Sequence, residues 1–291
     1  MILKTYSPVP RFPAISLSGV ECALHCEHCN ATYLGGMLKA ETPETLRSLC
    51  QKLVKKGAVG ALLSGGSDKH GGILNLPMML PVIHEIKKET GLILNIHPGL
   101  VSDEIAENLH VDFASLEIPG DNTIRDIFGL PISRTNYIDT YHRLKRAGVH
   151  VVLHVSVYDG TEHHLLDGIE APDTIVVIVF SPTKNTPMAN AESPTPEMVE
   201  GVIRSIKRMF PDAEISLGCM RPRTHQLRHA IEAAALKGGA TRIELPSRTI
   251  IQNAAVYGFT SIVNYDACCA LPTNLEPQAR SRRIVEGFRE R

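Results

Sequence analysis

Three of the seven cysteines lie within eight residues of one another, near the start of the chain. Their spacing is Cys22-x3-Cys26-x2-Cys29, which places three thiols on one short segment. Thiolates are soft ligands that suit an iron–sulfur cluster or zinc. A structural zinc site needs a fourth ligand, which His25 or His28 could supply. Zinc sites favour paired C-x2-C units, so the spacing favours the iron–sulfur cluster and leaves zinc as the alternative.

The other four cysteines differ in their surroundings. Cys50 lies among leucines in a segment with helical spacing, which predicts a thiol in the core. Cys219 follows a β-branched run, and Cys268 and Cys269 are adjacent to each other near the C-terminal end. An odd count with a vicinal pair is a poor basis for a disulfide framework. Successive side chains of an extended chain point to opposite faces, so the vicinal pair can share one site only if the chain turns there.

The composition is that of a soluble globular protein, with 43% hydrophobic residues, 21% charged residues and a net charge of -1. There is neither a charge excess nor a basic run to neutralise phosphates, so disorder and nucleic-acid binding are disfavoured. Residues 1–19 contain no apolar core of signal-peptide length, and no stretch reaches the roughly 18 apolar residues of a membrane span. We therefore expect a cytoplasmic protein without a membrane partner, whose thiols stay reduced and free for metal.

The elements that must position these residues alternate regularly along the chain. β-branched runs predict buried strands at 14–18, 58–64, 92–97, 112–118, 151–157, 174–180, 214–219 and 242–245. Helical spacing predicts helices between them, at 44–56, 80–90, 103–109, 136–147, 197–209, 223–236 and 248–257, with a weaker one at 162–167. Strands connected through helices pair in parallel, because a parallel connection needs a long crossover.

About eight such units match the roughly 250 residues of a (β/α)8 TIM-type barrel. The sequence therefore predicts an α/β barrel that forms one domain over residues 1–291, with a C-terminal extension that carries the last cysteines. A doubly wound open sheet is the alternative, and it would show G-x-G-x-x-G after the first strand, where the cysteine segment stands instead. The active site of a barrel lies at the C-terminal ends of its strands. Several of those ends carry chemistry-bearing segments, at 22–29, 64–67, 97–99, 117–121, 181–188 and 219–223.

The segment from Cys22 to Cys29 resembles the C-x3-C-x-Φ-C motif of the radical S-adenosylmethionine (SAM) enzymes, in which Φ is usually aromatic and lies beside the adenine. His28 stands at that position here. The resemblance implies a [4Fe-4S] cluster on three cysteines, whose open iron binds the amine and carboxylate of S-adenosyl-L-methionine. It also implies cleavage of the sulfonium to a 5′-deoxyadenosyl radical. So reactive a species requires a dry barrel interior, where it meets only its substrate.

Two further segments are similar to cofactor-binding elements of that family. Ser64, Gly65 and Gly66 resemble its glycine-rich turn, where the missing side chains let backbone carbonyls approach the methionine ammonium. Glu117 resembles an acidic residue that accepts the ribose hydroxyls, and Asp121 is a lesser candidate for the same role. The alternative for Glu117 is a solvated carboxylate at a strand end, since acidic residues are usually exposed.

In the barrel that the resemblance implies, Cys219, Cys268 and Cys269 are expected on the active face. There they would hold an auxiliary Fe–S cluster, expected to be [4Fe-4S], with Arg221, Arg223, substrate sulfur or solvent at its fourth site. The alternative is that Cys219 is a small buried residue and one of the vicinal pair packs inward. Biotin synthase and lipoyl synthase use such a cluster as a sulfur donor. The deoxyadenosyl radical removes hydrogen from an unactivated carbon, and the carbon radical then takes a bridging sulfide.

The whole length is most similar to the biotin-synthase-like proteins of archaea and some bacteria, including the segments 11–16, 218–223 and 267–269. Members of that group act in pairs as a two-subunit lipoyl synthase. The resemblance implies a sulfurtransferase of lipoate biosynthesis that inserts sulfur into protein-bound octanoyl chains. The partners it implies are an octanoylated lipoyl carrier protein or domain, a second radical SAM subunit, and ferredoxin or flavodoxin as reductant.

Two other functions remain open on the sequence. The first is a radical SAM mutase, lyase or maturase, in which the second cysteine group is an electron relay or a structural zinc site. The second is a metal-binding scaffold without catalytic activity. Iron and sulfide content separates sulfur insertion from the first, and formation of 5′-deoxyadenosine separates an enzyme from the scaffold.

Overall fold

A computed structural model describes residues 1–281 of the chain. Backbone contacts divide the chain into two compact units. The motif unit joins Val9–Val151 with Thr183–Asn190. The terminal unit joins Met1–Pro8, Val152–Pro182 and the chain from Ala191 onward. Each unit is an α/β structure, and each is described by itself below.

Strands and helices alternate through the described residues. The strands are β1 (Ile2–Tyr6), β2 (Ala14–Ser16), β3 (Leu38–Lys39), β4 (Gly60–Ser64), β5 (Ile93–Ile96), β6 (Phe113–Glu117), β7 (Val151–Val157), β8 (Thr174–Val179), β9 (Glu214–Leu217), β10 (Arg242–Glu244) and β11 (Ser261–Tyr265). The helices are α1 (Pro43–Lys55), α2 (Leu76–Thr90), α3 (Asp103–Glu107), α4 (Arg134–Arg146), α5 (Pro196–Met209), α6 (His225–Gly238), α7 (Arg248–Gln252) and α8 (Glu276–Ala279). Among residues 1–281, no helix combines the length and the apolarity that crossing a membrane requires.

All eight predicted strands are present, and their pairing is parallel. In the motif unit the order is β3-β2-β4-β5-β6, and Ser16 pairs with both Lys39 and Ser64. In the terminal unit the order is β11-β1-β10-β9-β8-β7. The carboxyl ends of parallel neighbours meet at one edge, so each unit gathers its strand-end residues in one place.

The sequence did not reveal three strands, which are the two-residue β3 in the motif unit and strands β1 and β11, which extend the terminal sheet beyond β10. Lys4 of β1 aligns with Arg242 of β10 and with Val263 of β11. Strand β1 buries Leu3 but leaves Ile2 half exposed, so its five residues lack the continuous apolar run of a central strand. Strand β11 is half-buried over most of its length, which is typical of a strand at a sheet edge.

Helix boundaries follow the capping residues. Helix α1 begins after Thr42, whose hydroxyl accepts a hydrogen bond from the Thr45 amide at 3.3 Å. Helix α2 begins at Leu76, four residues before the predicted start at residue 80. Pro77 suits the first turn of a helix, where its missing N–H has no intrahelical partner, and the interior Pro81 is tolerated.

A buried arginine joins several elements of the terminal unit. The Arg242 side chain is fully buried and forms ion pairs with Glu214 at 3.1 Å and Glu276 at 3.5 Å. Its guanidinium carbon lies 4.7 Å from the centre of the Tyr6 ring. Lys4 bridges the same two carboxylates at 2.6 and 3.0 Å. The network therefore connects β1, β9, β10 and α8, and it anchors the N-terminal strand to the rest of this unit.

Replacing Arg242 with methionine should therefore destabilise the terminal unit. The substitution leaves the buried carboxylate of Glu276 and the half-buried one of Glu214 without one of their two cations. Breaking a buried ion pair in this way typically costs about 3–5 kcal/mol. The free energy of unfolding in denaturant measures the effect. The control is Arg204→Ala, which removes an exposed ion pair with Glu200 in the same unit and should cost less than about 1 kcal/mol. Equal losses for the two variants would contradict the structural role of the network.

Candidate functional site

The cysteine motif forms a loop after β2, and its three thiols line one cavity of about 300 Å³. Cys22, Cys26 and Cys29 are each half-buried. The Cys26 thiol donates a hydrogen bond to Cys29, and this bond, together with His28, lowers the pKa of Cys29 to about 4 although burial opposes the shift. The same hydrogen bond, together with burial, raises the pKa of Cys26. The shift favours the thiolate form of Cys29, which is the form that binds metal.

The backbone of this loop adopts an unusual conformation. His25, Asn30 and Ala31 have φ values of 47°, 42° and 58°, in the left-handed region that residues with a side chain rarely adopt. Local hydrogen bonds hold this conformation. The His25 ring bonds the Asn30 side chain at 2.9 Å, and the Glu27 amide donates to the Ile127 carbonyl at 2.9 Å. Strain of this kind persists only where the surroundings over-determine it, and it clusters at functional sites.

The glycine-rich turn after β4 packs directly against the cysteine loop. A Cβ at Gly66 would lie 1.9 Å from the Glu21 carbonyl oxygen and 2.6 Å from the Cys22 Cα. The Ala23 amide donates to the Ser67 carbonyl at 2.7 Å across the same contact. Only glycine fits this approach. The sequence predicted a role for the turn in cofactor binding, and the structure adds a second role, which is to position the first cysteine.

The remaining walls of the cavity bring together most of the predicted cofactor residues. Ser64, Gly65, Gly66, Glu117 and His28 all line it. The His28 ring lies 5.7 Å from the Phe128 ring, and its Nδ1 is buried without a hydrogen-bond partner among residues 1–281.

The charges around these residues differ. Burial of His28 disfavours its protonation, but Cys29 and Glu117 outweigh that effect and raise its pKa. His97, also in the wall, is neutral at physiological pH because burial lowers its pKa to about 4. The cavity thus presents soft sulfur ligands on one loop and a carboxylate on the end of β6, with polar backbone between them.

Asp121, the lesser ribose candidate, lies outside this cavity. Its side chain is exposed, and its Oδ1 accepts a hydrogen bond from the Arg134 amide at 2.7 Å, at the start of α4. Acidic groups are stabilising at a helix N-terminus, which accounts for this carboxylate. Glu117 and Asp121 therefore have different surroundings, although they lie only four residues apart in the sequence: Glu117 lines the cavity and Asp121 lies outside it.

The terminal unit holds a second group of cysteines at the carboxyl edge of its sheet. Cys219 follows β9 and lines a cavity of about 560 Å³, whereas Cys269 is 4% exposed. Burial, and then the neighbouring charges of Glu244 and Cys268, raise the pKa of Cys269, whereas Cys219 is exposed. The chain turns after Cys268, whose carbonyl accepts from the Leu271 amide at 3.1 Å. The turn that the vicinal pair needed is present.

Glu244 at the end of β10 lies between these thiols, and the sequence analysis did not identify it. Its carboxylate accepts the Cys269 amide at 2.9 Å and also hydrogen-bonds the thiols of Cys219 and Cys269. The available signal was its position at the end of a predicted strand. A glutamate there is usually solvated, so the type of residue alone gave no reason to select it.

The two arginines considered for the fourth site differ in their contacts. Arg221 is buried, and its guanidinium donates to Glu232 at 2.7 Å and to the carbonyl oxygens of Gly218 and Glu244 at 2.6 and 2.8 Å. These bonds occupy Arg221 in the fold. Arg223 is exposed and lines the cavity beside Cys219. Cys50 is fully buried on α1, which confirms its predicted place in the core.

The donor atoms bear on the choice between zinc and an iron–sulfur cluster. In the part of the chain that the structure describes, no three His, Cys, Asp or Glu side chains converge on a point where they could hold a single metal ion. A structural zinc needs four ligands on one ion. In an iron–sulfur cluster each cysteine binds a different iron, so the thiols need only surround the same cavity.

The fold resembles that of several enzymes of known structure. No protein-family model and no curated protein matches the sequence. Methylornithine synthase (PylB) shares the fold at a TM-score of 0.58 and 17% identity, over 83% of this chain and 71% of that one. HydG, a maturase of the [FeFe]-hydrogenase, has a TM-score of 0.60 and 15% identity, over 89% of this chain and 64% of that one. SuiB of Streptococcus suis, in a structure with bound S-adenosylmethionine, has a TM-score of 0.55 and 11% identity, over 88% of this chain and 58% of that one.

At these identities the likeness concerns the fold. The prediction of an α/β fold of the barrel type, built from parallel strands and intervening helices, is confirmed by the observed pairing and by these structures. The chain spans 58% to 71% of the lengths of the three proteins.

The contact between Gly66 and the cysteine loop predicts that Gly66→Ala displaces Cys22. The added methyl group meets backbone atoms, which cannot rotate away, so we expect a loss of about 1–3 kcal/mol in stability and loss of most bound iron after anaerobic reconstitution. The matched control is Gly36→Ala, because a Cβ at Gly36 meets no atom within 4 Å. Iron per chain and the free energy of unfolding are the measurements. Full iron binding by Gly66→Ala would show that the close approach is dispensable.

Proposed function

We propose that this chain is a radical S-adenosylmethionine enzyme that inserts sulfur into protein-bound octanoyl chains, as one subunit of a two-protein lipoyl synthase. The observation that carries the first part is the cavity of the motif unit, where Cys22, Cys26 and Cys29 share one space with the glycine-rich turn and Glu117. Further support comes from the solved structures of the same fold, which are radical SAM enzymes.

The residues of this cavity fit a cluster and its sulfonium cofactor. Cys22, Cys26 and Cys29 would hold a [4Fe-4S] cluster, which supplies the electron that cleaves S-adenosylmethionine. The buried Nδ1 of His28 has no protein partner among the described residues, so it is available to a polar group of the cofactor. Glu117 offers a carboxylate to hydroxyl groups, and the backbone of Gly65 lies open to the cavity. Phe128 and Leu34 exclude water from part of the wall.

Sulfur insertion rests on the second cysteine group. Cys219, Cys268 and Cys269 lie close enough for the charge of Cys268 to raise the pKa of the other two thiols. Three thiols around one buried carboxylate have the ligand types of an auxiliary Fe–S cluster. Such a cluster supplies sulfide to a carbon that no ordinary nucleophile attacks. The cavity of about 560 Å³ beside Cys219 provides room for a chain to approach this group.

The proposed reaction requires other proteins. The octanoyl chain would arrive on a lipoyl carrier protein or domain, and a second radical SAM subunit would share the two insertions. A ferredoxin or flavodoxin would reduce the motif cluster. The chain is proposed to act in the cytoplasm, where reduced thiols are available for cluster assembly.

A radical SAM maturase is the second candidate function, because one structure of the same fold is described as a hydrogenase maturase. In that case the cysteines of the terminal unit would carry electrons or hold a structural metal. Both functions would use the motif cavity in the same way, and they differ in what happens to the second cysteine group. Measuring whether sulfur is transferred to the substrate therefore separates them.

The surroundings of Glu117 and Asp121 predict different effects of their substitution. Glu117→Gln removes a charged acceptor from the cavity wall and should weaken S-adenosylmethionine binding about 10-fold, since a hydrogen bond to a charged group is worth about 1.5–3 kcal/mol. Asp121→Asn, outside the cavity, should leave the dissociation constant unchanged. Anaerobic calorimetry on the reconstituted protein measures both. An Asp121→Asn effect as large as that of Glu117→Gln would contradict the assignment of Glu117.

The two cysteine groups should have separable roles in turnover. The Cys22/Cys26/Cys29→Ala variant should form no 5′-deoxyadenosine when reduced with S-adenosylmethionine. The Cys219/Cys268/Cys269→Ala variant should still form it but add no sulfur to an octanoyl-lysyl peptide, as followed by mass spectrometry with the second subunit present. Cys50→Ala is the control, because this buried thiol belongs to neither group.

Iron content decides whether the second cysteine group holds a cluster. If the reconstituted protein holds only about four irons and the Cys219/Cys268/Cys269→Ala variant loses none, sulfur insertion from a resident cluster is wrong and the maturase type of function is favoured. Loss of about half the iron in that variant shows the second cluster that sulfur insertion requires, and the sulfur added to the peptide then separates a sulfur donor from an electron relay.

A further inference from the structure

Glu244 occupies the centre of the second cysteine group. It ends β10, next to β9, which leads to Cys219, and one strand removed from β11, which leads to Cys268 and Cys269. The residue is 4% exposed. Its carboxylate accepts the Cys269 amide at 2.9 Å and hydrogen-bonds the thiols of Cys219 and Cys269. One carboxylate therefore touches two of the three thiols proposed as cluster ligands.

No cation pairs directly with this buried carboxylate. Among residues 1–281, no lysine, arginine or histidine forms an ion pair with Glu244. Arg221 donates to the backbone carbonyl of Glu244 at 2.8 Å, while its charge is paired with Glu232 at 2.7 Å. A buried carboxyl group without a cation is costly, and such groups in proteins are paired or coordinate metals.

Glu232 provides the contrast within the same unit. It is fully buried like Glu244, but two arginines, Arg221 and Arg228, lie 2.7 and 2.9 Å from its Oε1 and lower its pKa. Its burial is explained by these ion pairs. Glu244 has no such ion pair, so a positive centre supplied from outside the chain would complete its surroundings.

An iron of a metal cluster would supply such a positive centre at this position. Three cysteines bind three irons of a four-iron cluster and leave the fourth without a thiolate. The sequence left that position to an arginine, a substrate sulfur or solvent, and the structure shows that Arg221 is occupied in the fold. A carboxylate oxygen is a harder ligand than a thiolate, so it binds a sulfide-bridged iron less tightly and can be exchanged.

We propose that Glu244 is the fourth protein ligand of the cluster held by Cys219, Cys268 and Cys269. The proposal rests on the proposed function, because it requires the second cluster. It assigns the carboxylate to the one iron that no cysteine binds. The exchangeable position would then be the iron with the oxygen ligand, while the three cysteines retain the rest of the cluster.

The test uses the full chain carrying Cys22/Cys26/Cys29→Ala, so that only the second site can hold a cluster. After anaerobic reconstitution with iron and sulfide, this parent should hold about four irons. Adding Glu244→Gln should reduce the content to about three irons and give the paramagnetic signal of an oxidised three-iron cluster. Glu232→Gln is the control. It makes the same substitution at an equally buried glutamate and should keep the iron content of the parent in its folded fraction.

Glu244→Cys tests the same ligand without removing it. A thiolate at this position should restore about four irons and change the electron paramagnetic resonance spectrum of the reduced cluster, since sulfur replaces oxygen on one iron. This variant decides the question if Glu244→Gln does not fold. Full iron content without the three-iron signal in Glu244→Gln, or an unchanged reduced spectrum in Glu244→Cys, would overturn the assignment of Glu244 and leave the second cluster intact. A parent that binds no iron would overturn the second cluster itself, and with it sulfur insertion.

Discussion

Parallel strand pairing is the constraint on which both sites depend. Every strand of a parallel sheet ends at the same edge, so residues far apart in the chain meet there without a dedicated loop to bring them together. In the motif unit this edge collects the cysteine loop after β2, the glycine-rich turn after β4 and Glu117 at the end of β6. In the terminal unit it collects Cys219, Glu244 and the vicinal cysteines. The side chains differ between the two units, but the geometry that gathers them is the same.

Within the motif unit, the exact fit of the cysteine loop depends on close backbone contact. The loop has three residues in the left-handed region, and it lies against Gly66, where a methyl group has no room. A thiol ligand must be held in place before the metal binds if the site is to select one geometry. The strained loop and the glycine turn together provide that preorganisation. Neither is sufficient alone, because the loop would relax without the turn, and the turn carries no ligand.

The sequence predicted most of this arrangement, for reasons that the structure makes clear. Buried parallel strands are continuous apolar runs, so eight of them were visible, and their ends identified the cysteine loop, the turn and Glu117. The sequence did not predict β1, because it is short and partly exposed, or β11, because it is an edge strand. The sequence could not show which of Glu117 and Asp121 faces the cavity, because the difference is that Asp121 accepts a hydrogen bond from the first turn of the adjacent helix α4. The role of Glu244 depends on three strands and a turn brought together in space, which no local pattern records.

Buried charges in the terminal unit show how the fold distinguishes structure from function. Arg242 is buried against Glu214 and Glu276, and Glu232 is buried against two arginines, so each group is compensated by the chain itself. Glu244 has no such ion pair, and its carboxylate accepts the Cys269 amide. Arg221 lies next to Glu244 but bonds its backbone carbonyl, while its charge is paired with Glu232. An iron held between the three cysteines would give this carboxylate a positive centre to coordinate, which is one of the ways in which proteins accommodate a buried carboxylate.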